Sequence, residues 1–177
     1  MAVSELYQKG QELRRQLLGD AYVERVNQTA YADPMMKKFI DMATETVFGA
    51  LWTRPGLDLK TRTLICVVSD AATARTPELA IHLRMARRQG WTEDELIEVL
   101  LHLSGYVGVP LVREAMLTAK EVFGEMRKER RRRRRSGEKA PEGHPDEQRQ
   151  GELEQIKSRK PRFARDAAGQ DGVPADR

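Results

Sequence analysis

At 177 residues and 40% hydrophobic content, the chain has room for one ordinary domain with its own core, provided the apolar residues are concentrated. No apolar stretch approaches the roughly 20 residues a bilayer-spanning helix needs, which excludes a helical membrane protein. A single cysteine, Cys66, excludes an intramolecular disulfide and any multi-cysteine metal site. The net charge of +4 divides unevenly: residues 127–177 hold 16 Lys and Arg against 10 Asp and Glu, leaving 15 against 17 in residues 1–126. The basicity therefore belongs to the C-terminal stretch.

In chain order, the opening "MAVSELYQKGQELRRQ" lacks the apolar run of a secretory signal, so the cytoplasm is the expected compartment. Ser4 caps a first helix, "ELYQKGQELRRQLL", stopped by Gly19 where helices commonly end in a left-handed turn. "DPMMKKFIDMATETVFGALW" offers Asp33 as N-cap and Pro34 at the first helical position, where its missing N–H costs nothing. "TRPGLD" is a break, after which Asp58 restarts a helix through "LKTRTLICVVSDAATA", apolar around most of its circumference and expected to be central.

Thr76, Pro77 and Glu78 open the next helix and Gly90 closes it; "TEDE" at 92–95 then reads as a capping box of Thr92 and Glu95. So short a connection predicts a tight αα-hairpin over residues 77–104. Gly105, Gly108 and Pro110 mark a further break before a closing helix, "LVREAMLTAKEVFGEM". Apolar residues recur at three- and four-residue spacing and no stretch alternates as a half-buried strand would. The expected fold is all-α, a compact bundle of about six helices over residues 1–126. Residues 127–177 hold one each of Phe, Leu, Ile and Val, too little to offset the entropy of ordering, and are expected to be a disordered Arg-rich tail.

Two histidines stand among apolar residues of the expected hairpin. His82 lies beside the stripe Leu79, Leu83 and Ala86 and should be at least half buried, whereas Glu98 and His102 stand one turn apart on the next helix, close enough to interact. That helix is apolar on more than one face, as a subunit interface would be.

The stretches "WTRPGLDLKTRTLICV" at 52–67, "ELAIHLRMARRQGWTEDELIEVLLHLSGYVGVP" at 78–110 and "REAMLTAKEVF" in the closing helix are similar to the gamma-carboxymuconolactone decarboxylase family, the all-helical group that includes the alkylhydroperoxidase D-like proteins. The resemblance runs from about residue 5 to 126. Its redox branch carries CxxCxxxH, with a thiolate that attacks peroxide and a second thiol that resolves the product. Counting back from His82, those two cysteine positions fall on Arg75 and Glu78, so thiol peroxidase chemistry of that type is not expected, although a peroxidase label attaches to the family. Cys66 has no resolving partner and its apolar setting predicts a packing role.

The decarboxylase branch remains. The resemblance implies conversion of gamma-carboxymuconolactone to the enol-lactone of 3-oxoadipate in aromatic-acid breakdown, with no metal or organic cofactor, by a homo-oligomer, trimer or hexamer, with sites near interfaces. Loss of CO2 beside the ring oxygen leaves a carbanion conjugated to the lactone carbonyl, so the substrate is its own electron sink. The protein must supply cations for the carboxylates, a donor for the developing oxyanion and an acid for carbon. His82 is the candidate acid or oxyanion donor, with His102 as the alternative acid and Glu98 as the carboxylate that tunes them. Arg54 and Arg62 are candidates to hold carboxylates, and Trp52 and Tyr106 to form walls.

Each has a plainer reading: His82 as a satisfied core histidine, His102 and Glu98 as an interface pair, Arg62 in a structural ion pair, Arg54 on a solvated loop, Trp52 in the core. Arg130 to Arg135 form a block suited to non-specific polyanion contact, with no interleaved aromatics for base stacking. The competing reading of the chain is a helical scaffold without chemistry that carries such an arm. A third keeps the site and changes the substrate to another unsaturated lactone or beta-keto acid.

Overall fold

The computed structural model describes residues 4–137, and these contain seven α-helices, one π-helical segment and no strand. The helices are α1 (Glu5–Leu18), α2 (Asp20–Gln28), α3 (Pro34–Ala43), α4 (Leu59–Ala72), α5 (Thr76–Arg88), α6 (Glu93–Val107) and α7 (Val109–Ser136), with the π segment Thr44–Leu51 continuing α3. No described helix is long and apolar enough to cross a membrane. The all-α expectation holds, and the expected caps are in place. Ser4 Oγ accepts from Tyr7 N, Asp33 Oδ1 from Met35 N and Asp58 Oδ1 from Thr61 N. Thr92 and Glu95 close the capping box from both sides.

Four features depart from the sequence-based expectation. Residues 20–28 form a helix of their own, α2, which pattern reading passed over. The expected long second helix turns π-helical at Thr44, with Trp52 N bonded to Val47 O five residues back. The cause is contact with α1. A Cβ on Gly10 would lie 2.0 Å from Thr44 O, and one on Gly49 would lie 2.1 Å from Leu6 O, so the two backbones touch where neither carries a side chain. Gly105 does not break α6, and the chain turns only at Gly108, in a positive-φ conformation suited to glycine. Finally, α7 does not stop near 126 but continues through the arginine block to Ser136. Residues 138–177, the rest of the expected tail, lie outside the described residues.

The expected hairpin of α5 and α6 is also different in detail. Both helices pack chiefly on α4 and α7 rather than along each other. The turn between them explains this: Trp91 is drawn to α4, its Nε1 donating to Lys60 O at 3.2 Å while the Lys60 ammonium sits 4.5 Å from the ring centroid. One core cluster joins α4 to α7 through Val67, Leu79, Leu83, Leu96, Leu100 and Phe123. A second, around Leu13, Leu17, Trp52 and Met85, joins α1 and the loop after the π segment to α5. Helix α4 is central as expected, although Ile65 remains exposed on its outer side.

Candidate active site

The buried side of α4 carries Thr63, Val67, Asp70 and Ala71, and Asp70 is its one charged residue, in a core position at 3% exposure. A carboxylate there needs partners, because burial of an unpaired charge is costly. The link to α5 provides one. Thr73 closes α4 onto Ser69 O, Ala74 adopts a left-handed conformation at φ 57, and Arg75 N returns to Asp70 O at 3.0 Å. Left-handed backbone costs a residue with a Cβ about 1 kcal/mol, a strain tolerated here where it folds Arg75 back over the acid. Arg75 Nη2 lies 3.4 Å from Asp70 Oδ1 and donates to Ser69 Oγ, while its Nε donates to Thr73 Oγ1.

The second partner is His82. On α5, Leu79, Leu83 and Ala86 face the core, and this sets His82 at the seam with α4. Its Nδ1 lies 2.5 Å from Asp70 Oδ2, shorter than an ordinary donor–carboxylate contact. With Nδ1–H given to Asp70, Nε2 is the ring nitrogen free to exchange a proton, and the side chain keeps 24% of its surface open. The geometry therefore joins a buried carboxylate, a half-buried imidazole and a half-exposed guanidinium whose Nη1 bonds no partner among the described residues.

Cys66 stands one turn before Asp70 in α4. Burial, then the Asp70 carboxylate, push its thiol up to about 11 against the lesser pull of Arg75. It is a neutral thiol at ordinary pH, as the apolar surroundings predicted. The two cysteine positions of the CxxCxxxH motif carry Arg75 and Glu78, both exposed.

The remaining sequence candidates are placed elsewhere. Arg62 donates through Nε to Leu57 O and through Nη2 to Arg54 O at 2.7 Å, so it fastens the 52–58 loop instead of presenting its fork to a ligand. The Arg54 side chain is exposed in that loop and no bond ties it to the Asp70–His82 pair. Trp52 is 8% exposed and packed among Leu13, Leu17 and Met85, a core residue and not a wall. Glu98 and His102 share a face of α6, but no hydrogen bond or ion pair joins them. Instead the His102 ring rests on Tyr106, centroids 5.1 Å apart and planes at 47°, on a face that also exposes Leu101.

Sequence reasoning singled out His82 and passed over Asp70, which its ring bonds, and Arg75, which pairs with that carboxylate. The available signal for Asp70 was a lone acid inside an apolar helix, a position where an ionisable group requires a reason. Arg75 was noticed only as the place of an absent cysteine. Among the described residues, no three His, Cys, Asp or Glu side chains gather as metal ligands would.

The model of the carboxymuconolactone decarboxylase family matches residues 37–121, a span that holds α4, α5, α6 and the whole Asp70–Arg75–His82 cluster. The chain is 36% identical over 120 residues to 4-carboxymuconolactone decarboxylase of Acinetobacter baylyi, covering 68% of this chain and 88% of that one. It is 35% identical over 121 residues to nitrosuccinic acid decarboxylase of Metarhizium robertsii, covering 68% and 83%. An uncharacterized 15.0 kDa protein of Paracoccus denitrificans is 28% identical over 123 residues, covering 68% and 90%.

Proposed function

Since the chain belongs to the carboxymuconolactone decarboxylase family, we propose that it is a carboxy-lyase acting, without a metal or organic cofactor, on gamma-carboxymuconolactone or a closely related acid. The observation that carries this reading is the 2.5 Å contact between Asp70 and His82 with Arg75 on the other carboxylate oxygen. The names of the two decarboxylase relatives support it from the substrate side. A carboxymuconolactone and a nitrosuccinic acid both carry an electron acceptor that can receive the pair released with CO2, a carbonyl through a C=C in one and a nitro group in the other.

In the proposed step the Arg75 Nη1 group holds a substrate carboxylate. The C–CO2 bond breaks, CO2 leaves, and the electron pair passes into the substrate's own acceptor, whose oxygen becomes negative. His82 Nε2, carrying a proton, first donates a hydrogen bond to that charge and then delivers the proton to carbon; solvent returns a proton to the ring. Asp70 stays ionised and fixes which nitrogen faces the substrate, the orienting role a carboxylate plays behind other catalytic imidazoles. His102 and Glu98 lie outside this network. We place them, with Leu101, Tyr106 and Val109, on the face through which copies of the chain assemble, all of these side chains being exposed. Sedimentation of the full chain should give a trimer or hexamer, and Tyr106→Glu should shift it toward monomer; a wild-type monomer refutes that assignment.

The deciding assay follows CO2 release from gamma-carboxymuconolactone, with nitrosuccinate in parallel. His82→Ala should lower turnover by roughly 10²–10⁴-fold, the span of a lost general acid, with helicity and assembly retained. Unchanged turnover removes His82 from the reaction, and no CO2 from either acid with the wild-type chain removes the decarboxylase reading.

A further inference from the structure

Helix α7 changes character along its length. Val112, Ala115, Ala119, Val122 and Phe123 are buried in the core, whereas every residue from Arg127 to Ser136 is exposed. The helix nevertheless continues to Gly137, where the backbone turns left-handed at φ 71. At about 1.5 Å per residue, these last ten residues make a rod roughly 15 Å long. It bears Arg127, Lys128 and Arg130 to Arg135 against a single acid, Glu129.

The base of the rod is anchored by ion pairs. Arg127 bonds Glu93, and Arg84 of α5 reaches Glu125 at 2.5 Å and Glu129 at 3.4 Å. Further along the rod, Arg131, Arg132, Arg133 and Arg135 meet no carboxylate among the described residues. Arg88, at the end of α5, adds to the excess. Its guanidinium lies close over Gly19, 2.7 Å from where a Cβ would stand, and no described carboxylate bonds it. Burial, and then the charges of Arg133 and Arg84, push its pKa down against the lesser pull of Glu129. Arg84 on Glu125 and Glu129 sets the end of α5 beside the rod, so Arg88, one turn further on, adds its charge at a site outside the Asp70–His82 cluster, where a polyanion would bind with release of its own condensed counterions.

The shape of the charge selects among polyanions. Six consecutive arginines pass more than once around a helix of about 3.6 residues per turn, so the rod is cationic on all sides and has no apolar stripe. A helix lying on a membrane needs such a stripe, and a flat acidic surface would leave half of the arginines unused. A groove with phosphates on both walls engages the whole circumference. The major groove of B-form DNA is about 12 Å wide and admits a helix, whereas that of A-form RNA is too narrow. Without interleaved aromatics the contacts fall on the backbone, not on base faces.

We propose that residues 127–136 of α7, with Arg88 beside them, form an arm that binds the phosphate backbone of duplex DNA from within the major groove, without reading sequence. The test is fluorescence anisotropy of a labelled 20-base-pair duplex titrated with the full chain between 50 and 200 mM salt, beside a variant carrying Gln at all six positions 130–135. Glutamine keeps helix propensity and removes charge, so circular dichroism and CO2 release should not change. The wild-type chain should bind with a log–log salt slope of roughly −4 to −5, about 0.9 per neutralised phosphate, and the variant, which keeps Arg88, Arg127 and Lys128, should bind roughly 100-fold or more weakly at 50 mM with a slope of about −1 to −2. Arg88→Gln alone should reduce the slope by about one. Absence of salt-dependent binding by the wild type, or equal binding by the six-glutamine variant, overturns the proposal. So does tighter binding to duplex RNA of the same sequence or to vesicles of equal parts phosphatidylserine and phosphatidylcholine than to the DNA.

Discussion

Where α1 meets the π segment, two backbones touch through Gly10 and Gly49, with the polar bond from Ser4 to Glu45 at the exposed rim; where α4 meets α5, a carboxylate is buried between an imidazole and a guanidinium. Both contacts are intolerant of change, for opposite reasons. The first excludes any added atom, since a helix–helix approach that close has room only for hydrogen. The second excludes any removed one, since each member satisfies a charge or donor that the core would otherwise leave bare. Substitutions at the first should therefore act on stability and leave the chemistry of surviving molecules intact. Substitutions at the second should show in the reaction first.

Gly10→Ala tests the first statement and is expected to have the largest effect. A methyl group 2.0 Å from Thr44 O forces the helices apart, and overpacking of this kind costs about 3 kcal/mol or more. Thermal denaturation should show a fall in Tm of many degrees, with turnover per folded molecule near wild type; an unchanged Tm would mean that the approach is looser than described. Asp70→Ala comes next. It frees the His82 ring and leaves Arg75 held only by Ser69 and Thr73, so kcat should fall by on the order of 100-fold with a smaller change in KM, and the pH profile of kcat should shift. A loss confined to stability would make Asp70 a packing residue and dissolve the contrast. The smallest effect belongs to Cys66, which touches both halves by packing against the second core cluster one turn from Asp70. Its thiol is pushed up to about 11 from 9.0, so above about pH 9 the unfolded chain gives up a proton that the folded chain retains. Stability should be level below pH 9 on this account and decline between 9 and 11. Cys66→Ala should flatten that decline, measured by urea denaturation across the range.

Much of the fold was legible because its signals are local. Asp33, Asp58 and Thr92 act within three residues of themselves, and the helical period needs no partner to be seen. The π segment was not, because its cause is a neighbour 34 residues away at Gly10 rather than a pattern in "TETVFGAL". The site divides in the same way. His82 could be read from its place in "ELAIHLRMA", and the pairing of Glu98 with His102 from spacing alone, but spacing puts two side chains on one face without making them bond. Asp70 and His82 are twelve residues apart across a turn whose sharpness depends on Ala74, a residue with no turn signature. Arg62 misled for a related reason: a guanidinium beside a Pro–Gly loop reads equally as ligand or as clasp, and only the carbonyls of Leu57 and Arg54 decide between them.

The two tryptophans fall one to each of the regions contrasted above. Trp52 sits with Leu13, Leu17 and Phe48 beside the glycine-sealed half, and Trp91 packs against the other cluster with an ammonium group over its ring. The indoles serve as two resident optical gauges, one in a buried apolar setting beside Phe48 and one under a positive charge that alters its emission. Replacing either with phenylalanine isolates the signal of the other, so the order in which the halves loosen can be watched by light alone, with no label attached.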